Sequence, residues 1–175
     1  IANLSKKLGA EVPFLRPSRL AEDHTPDRPV MLHLIEWCKK HENYQFDLLV
    51  YLRPTTPFKT KNIINDCLVK IKNNETFSSV RTVTRSEGVF HPYWMFREEN
   101  GYLKSFIENI DISEYYQRQL LPTCYRLNGV VDVLRTKIIK GFPDHYGNKI
   151  GYIEISGFNS IDIDSDLDFK FCEFL

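Results

Sequence analysis

Apolar and polar positions change period several times along the chain, and each change marks an element. Ile1, Leu4 and Leu8 share one helical face, with Gly9 where a helix C-cap would stand. The opening ten residues therefore read as the end of a helix. A helix beginning at residue 1 with no strand before it implies an N-terminal portion that this chain lacks. Glu11-Val-Pro-Phe-Leu15 predicts a short strand entering a loop. From Pro29 to His41 the period is helical, with Val30, Leu34 and Trp37 in one stripe and Met31 and Ile35 beside it. Phe46 to Leu52 is a nearly continuous apolar run, the pattern of a strand buried on both faces. Two prolines then force Arg53-Pro-Thr-Thr-Pro-Phe58 into a loop. Thr60 is placed to cap a helix through Asn73 that presents Ile63, Ile64, Cys67, Leu68 and Ile71. Ser78 to Val83 predicts the next strand. This alternation of helix and strand predicts an α/β fold, Rossmann-like and doubly wound around a mainly parallel sheet.

Residues 84–123 break the rhythm. His91 to Phe96 and Gly101 to Phe106 predict two strands joined by the polar turn Arg97 to Gly101, a hairpin insertion rich in aromatics. Its surface suits either a partner subunit or the domain's own core. Tyr125 to Leu134 and Ile150 to Ile155 return to strand character. Asp166 to Leu175 predicts a closing helix with Leu167, Phe171 and Phe174 on its inner face. The 175 residues are read as one domain, 1–175, carrying the insertion 84–123.

Composition narrows the classes. Twenty-three basic and 23 acidic residues give a formal net charge of zero, which argues against nucleic acid as a partner. No apolar run approaches the length that spans a bilayer, and the start has no signal-peptide pattern. Four scattered cysteines, Cys38, Cys67, Cys124 and Cys172, make no C-x-x-C pair and fit reduced thiols in a cytoplasmic protein.

Chemistry concentrates in four segments. In Ser160-Ile-Asp-Ile-Asp-Ser165, Asp162 and Asp164 are two apart, so in extended chain they project from one face. Paired carboxylates repel unless a cation lies between them, and a magnesium ion needs only one or two protein carboxylates. Capping of the last helix by Ser165 or Asp164 is the competing reading. Arg16, in Pro13-Phe-Leu-Arg-Pro17, sits in a loop where α/β folds place ligand contacts, with Asp23 and Thr25 downstream as an acceptor and a hydroxyl. A surface ion pair and helix capping are the bland alternatives for these three. Arg53 and Thr55 follow a buried strand on a loop stiffened by proline. Arg118 and Gln119 lead into Tyr125-Arg-Leu-Asn-Gly129, where Arg126 joins Arg118 as a donor suited to a carboxylate or phosphate. Asn128-Gly129 also has the composition of a plain turn.

Seven pieces in this order resemble the acylneuraminate cytidylyltransferases, the CMP-N-acetylneuraminic acid synthetases. They are Pro13-Phe-Leu-Arg-Pro17, Asp23-His-Thr-Pro26, Leu52-Arg-Pro-Thr-Thr-Pro57, His91-Pro-Tyr-Trp-Met95, Arg118-Gln-Leu-Leu-Pro122, Tyr125-Arg-Leu-Asn-Gly129 and Ser160-Ile-Asp-Ile-Asp164. The resemblance implies a fold of the nucleotide-diphospho-sugar transferase type. It implies a magnesium- or manganese-dependent enzyme that couples CTP to a nine-carbon keto-acid sugar and releases pyrophosphate. Asp162 and Asp164 match the family's metal-binding, catalytic aspartates. Arg16, Asp23 and Thr25 fall in the nucleotide region; Arg53, Thr55, Arg118, Gln119, Tyr125, Arg126 and Asn128 fall near the sugar. The insertion matches a dimerisation region, implying a homodimer or dimer of dimers. Two departures stand out. Many members carry glutamine where this chain has Arg53, so the accepted sugar would differ from common sialic acid. The family's opening Ile-Pro-Ala-Arg-x-Gly-Ser-Lys-Gly loop, which cradles the triphosphate, has no counterpart here. The alternative expectation is therefore a catalytically inactive, truncated homologue serving as a dimerisation or sugar-acid-binding module.

Overall fold

A computed structural model describes all residues, 1–175. The chain divides into two compact units, Ile1–Leu49 with Arg135–Gly147, and Val50–Leu134 with Asn148–Leu175.

The first unit is helical. It holds α1 (Ala2–Lys7), α2 (Asp27–His41) and α4 (Thr136–Gly141). Gly9, at φ +87°, follows the end of α1 as the pattern requires. Met31 and Ile35 of α2, Leu20, Leu49 and Ile139 form the buried core. Arg28 of α2 donates from Nε to the Ile139 carbonyl at 3.0 Å and so satisfies an end of α4. The strand expected at Glu11–Leu15 does not form. Pro13 removes a ladder donor, and Phe14 instead packs against α2, 4.9 Å from the His33 ring and 5.0 Å from Trp37. Helix contact satisfies the apolar residue without a neighbouring strand.

The second unit carries a sheet of order β1-β5-β2-β6, to which β1 (Leu48–Tyr51) contributes Val50 and Tyr51. The other strands are β2 (Ser79–Arg85), β5 (Tyr125–Arg135) and β6 (Ile150–Glu154). Helix α3 (Lys61–Lys72) covers the sheet with Cys67 and Ile71, both fully buried, and Thr60 caps it by accepting from the Ile63 amide. Val80, Val130, Val131, Val133 and Leu134 complete the core.

The fold is α/β, but the sheet is mixed rather than mainly parallel. β2 pairs with β6 in parallel and with β5 antiparallel. The reason is the insertion. It leaves after β2 and returns to the same end, where the Ser86 amide donates to the Cys124 carbonyl at 2.8 Å and Arg85 pairs with Tyr125. A chain that returns where it left must run back beside its own stem. Within the insertion, β3 (Phe96–Glu99) and β4 (Tyr102–Ser105) form the expected hairpin, turning at Asn100 and Gly101, both at positive φ. The strand expected from His91 starts only at Phe96. Pro92–Trp94 makes one tight 3-10 turn instead, with His91 Nδ1 accepting from the Tyr93 amide. At the other end, α5 (Asp166–Phe174) forms with a full capping box between Ser165 and Asp168. Its expected inner face is not buried, since Leu167 is 75% and Phe174 84% exposed.

Candidate functional site

The most unusual local structure is a wide bulge in β5. Arg81 pairs with Asp132 and Val83 with Leu127, so two steps along β2 correspond to five along β5. Asn128 holds the excess residues. Only 3% exposed, its Oδ1 accepts from Thr82 Oγ1 at 2.7 Å and from the Val130 amide at 3.2 Å, and its Nδ2 donates to Thr84 Oγ1 at 2.9 Å. Gly129 lies at φ +67°, a region in which an L side chain is strained. The Asn-Gly pair thus builds a bulge inside a strand, and the Asn128 side chain is committed to holding it.

The bulge brings Gly129 against Arg53. A Cβ added at Gly129 would meet Arg53 Cδ at 3.3 Å and Nη1 at 3.4 Å. Arg53 Nη1 donates to Asp132 Oδ2 at 2.7 Å, and its guanidinium carbon lies 4.8 Å over the Tyr51 ring. The other side of Asp132 takes Arg81, Nε to Oδ1 at 2.8 Å and Nη2 to Oδ2 at 3.3 Å. Asp132 is 1% exposed, so a carboxylate in the sheet interior is shared by two guanidiniums. Sequence reading missed Asp132 and Arg81, because both sit among the β-branched residues of buried strands and look like strand positions.

The Arg53 loop is fixed from below. Thr56 Oγ1 donates to the Arg53 carbonyl at 3.1 Å, and Lys59 Nζ donates to the same carbonyl at 2.8 Å and to that of Thr56. Burial pulls the Lys59 ammonium pKa down, against the opposing charge of Asp162. The Ile163 amide donates to the Thr55 carbonyl at 2.9 Å, which ties the Ile161–Asp164 segment to this loop.

Asp162 and Asp164 lie on that segment, after the turn Gly157–Ser160. Asp162 Oδ1 is buried with no hydrogen-bond partner. An orphaned carboxylate oxygen is costly, the nearby Lys59 charge offsets part of that cost, and the oxygen suits a hard divalent ion. No group of three or more His, Cys, Asp or Glu side chains converges on a metal position. Magnesium needs only one or two protein carboxylates and fills the rest of its shell with water and ligand oxygens. The capping reading also has a share. Ser165 and Asp168 cap α5, and the Asp164 amide donates to Asp168 Oδ2 at 3.2 Å. The two roles fall on different atoms, with capping on Ser165 and Asp168 and the orphaned oxygen on Asp162.

A second concave region lies at the C-terminal ends of β2 and β6, where α/β sheets place ligands. A cleft of about 510 Å³ is lined by Thr84, Arg85, Ser86, Glu87, Phe90, Arg126, Glu154 and Ser156. Arg118 meets Glu87 in an ion pair at its margin, while Gln119 is exposed on the same 3-10 turn, Arg118–Leu120. The Tyr125 ring lies 5.1 Å from Tyr152, and hydrogen bonds to Tyr152 and then Glu154 push its phenol pKa up. Glu87 and Glu154 went unmarked in the sequence, being charged residues outside any motif.

The structure therefore ties the segment of Asp162 and Asp164 to the loop that carries Arg53 and Thr55, commits Asn128 to the bulge, and sets Arg126 in the cleft, with Arg118 and Tyr125 bonded to the cleft residues Glu87 and Glu154. Arg16, Asp23 and Thr25 belong to the first unit. There Arg16 Nη1 donates to the Leu20 carbonyl at 3.4 Å, Asp23 is exposed and the Thr25 amide donates to the Glu22 carbonyl.

No family model matches the chain. Two characterised relatives do. Post-translational flagellin modification protein B of Campylobacter coli is 28% identical over 180 residues, covering all of this chain and 72% of that protein. CMP-N,N'-diacetyllegionaminic acid synthase of Campylobacter jejuni is 28% identical over 177 residues, with the same coverage. No helix is long and apolar enough to cross a membrane. Across its full length the chain is a homologue of these two proteins, consistent with a CMP-nonulosonic acid synthetase-like family.

Proposed function

We propose that the protein is a cytidylyltransferase that couples CTP to a nonulosonic acid, giving the CMP-sugar and pyrophosphate. The observation that carries this reading is the hydrogen bond between the Ile163 amide and the Thr55 carbonyl, which sets the aspartate pair beside the Arg53 loop. A carboxylate oxygen awaiting a cation and an arginine suited to an organic acid are the two recognition elements that phosphate activation of a sugar acid needs. The name of the Campylobacter jejuni relative supplies the chemical class, a legionaminic-type acid. Arg53, standing where many acylneuraminate enzymes carry glutamine, favours such a sugar over common sialic acid.

Asp162 and Asp164 would hold a magnesium or manganese ion, which when bound offsets charge on the phosphate oxygens. The sugar's anomeric hydroxyl attacks the α-phosphorus in line, the bond to the β-phosphate oxygen breaks, and the hydroxyl proton is released. The protein's share is to orient and neutralise. Arg126, together with Arg53, Arg118, Tyr125 and Gln119, serves the sugar, and Arg16, Asp23 and Thr25 serve the nucleotide. The protein acts in the cytoplasm as a homodimer or dimer of dimers, joined through the exposed aromatics of residues 84–123.

The test is pyrophosphate release with CTP and magnesium against N-acetylneuraminic, legionaminic, pseudaminic and eight-carbon ketodeoxyoctonic acids, with light scattering for the oligomer. The expected result is preference for the legionaminic acid and a loss of roughly 100-fold or more in kcat for Asp162→Asn/Asp164→Asn. Turnover indifferent to magnesium or to both substitutions would overturn the metal assignment. Preference for a different nucleotide would overturn the reaction.

A further inference from the structure

Arg53 is held from every side that the structure shows. Its carbonyl takes Lys59 and Thr56, its aliphatic stem lies where a Cβ on Gly129 would meet it at 3.3 Å, its guanidinium lies over Tyr51, and Nη1 is bonded to Asp132 at 2.7 Å. This is far more restraint than a surface arginine receives, and its side chain still reaches the surface, 24% exposed against 10% for Arg81. Asp132 itself does not, at 1%. The buried carboxylate is in turn aimed by Arg81, whose Nε and Nη2 grip both of its oxygens. The contacts form a chain, Arg81 to Asp132 to Arg53, that runs from the sheet interior to the loop.

We propose that Asp132 is a positioning residue, which through this chain fixes the Arg53 guanidinium in the orientation that receives the carboxylate of the sugar acid. The inference rests on the reading under Proposed function, which supplies the sugar acid. Its physical basis is preorganisation. An arginine fork binds a carboxylate well only in the right plane, and an unrestrained side chain loses rotamer entropy on binding. Asp132 bears that ordering during folding, so the ligand does not. The bulge serves the same end, because the residues it inserts between Leu127 and Asp132 carry Gly129 to the Arg53 stem.

The experiment is calorimetric titration of the full chain with N,N'-diacetyllegionaminic acid, and separately with CTP and magnesium. Wild type is compared with Asp132→Asn, Arg53→Met and the double variant. Asp132→Asn is expected to weaken sugar-acid binding about tenfold or more, the scale on which positioning partners act, with CTP affinity unchanged. Arg53→Met should give a similar loss, and the double variant should be no worse than Arg53→Met alone. Arg53→Lys should not restore binding, because a point charge lacks the fork. Should Asp132→Asn fail to fold, Arg81→Met/Asp132→Asn removes one charge of each sign, and the same loss is expected of it. Sugar-acid binding at wild-type strength in the Asp132 variants overturns the proposal. So does a loss shared equally by CTP, or a double variant whose losses add. A wild-type chain that binds no nonulosonic acid overturns the function reading and this inference together, and is told apart because the wild-type titration itself is flat.

Discussion

Replacing Gly129 with alanine tests the bulge, and its cost divides into two parts that can be measured separately. The first is backbone. At φ +67° an alanine pays the left-handed penalty of about 1–2 kcal/mol. The second is contact. The new methyl would lie 3.3 Å from Arg53 Cδ and 3.4 Å from Nη1, so the side chain must move by a few tenths of an ångström. Arginine is flexible, but this one is pinned by its 2.7 Å bond to Asp132. A charged hydrogen bond is worth about 1.5–3 kcal/mol, and stretching it forfeits roughly 1 kcal/mol. The expected total is about 2–3 kcal/mol. Gly101 provides the control: its φ is +84° and nothing lies within 4 Å of its added Cβ, so Gly101→Ala carries the backbone part alone, about 1–2 kcal/mol. Urea unfolding followed by circular dichroism would measure both. In an Arg53→Ala background the cost of Gly129→Ala should fall to that of Gly101→Ala. If it stays at its wild-type size, Arg53 and Gly129 do not press on each other and the account of the bulge is wrong.

Two further outcomes follow from the titrating groups. The Cys67 thiol is fully buried on α3, and burial, then the nearby Asp66 and Asp132 charges, push its pKa up to about 12. A thiol reagent at pH 8 should modify the partly exposed Cys38, Cys124 and Cys172 in the native protein and reach Cys67 only on unfolding; fast native labelling at Cys67 would contradict the packing of α3. At α5, hydrogen bonding to Ser165 holds the Asp168 carboxylate below its ordinary value of 3.8. A carboxylate with a depressed folded pKa stabilises above its unfolded pKa, and that stability is lost as pH falls through the folded value. Helix α5 should therefore fray only below about pH 4, and Ser165→Ala should move the Asp168 carbon-detected titration upward; an unmoved titration would refute the capping box.

Local order was legible in the residues because its causes are local. Thr60 before an apolar stripe and Ser165 three residues before Asp168 each carry their physics within a few positions. Where local rules failed, a distant contact or its absence decided. Glu11–Leu15 alternates like a strand but packs on α2, and Leu167 and Phe174 keep helical spacing yet meet no core.

The sequence by itself determined the capped starts of α3 and α5 and that the chain is α/β, since hydrophobic period and capping act within a turn or two, but it gave no sign of α4 and marked as buried on both faces a strand, β1, that lies at the sheet edge with only Leu49 buried. Only the tertiary structure decided that β5 runs back beside β2, because that depends on where a long insertion returns. Only it decided the partner of Arg53, for Asp132 stands 79 residues away and Arg81 another 51 from Asp132. A buried carboxylate on a strand reads as an anomaly until the fold brings two guanidiniums to it, and charge compensation across the sheet has no signature in the order of residues.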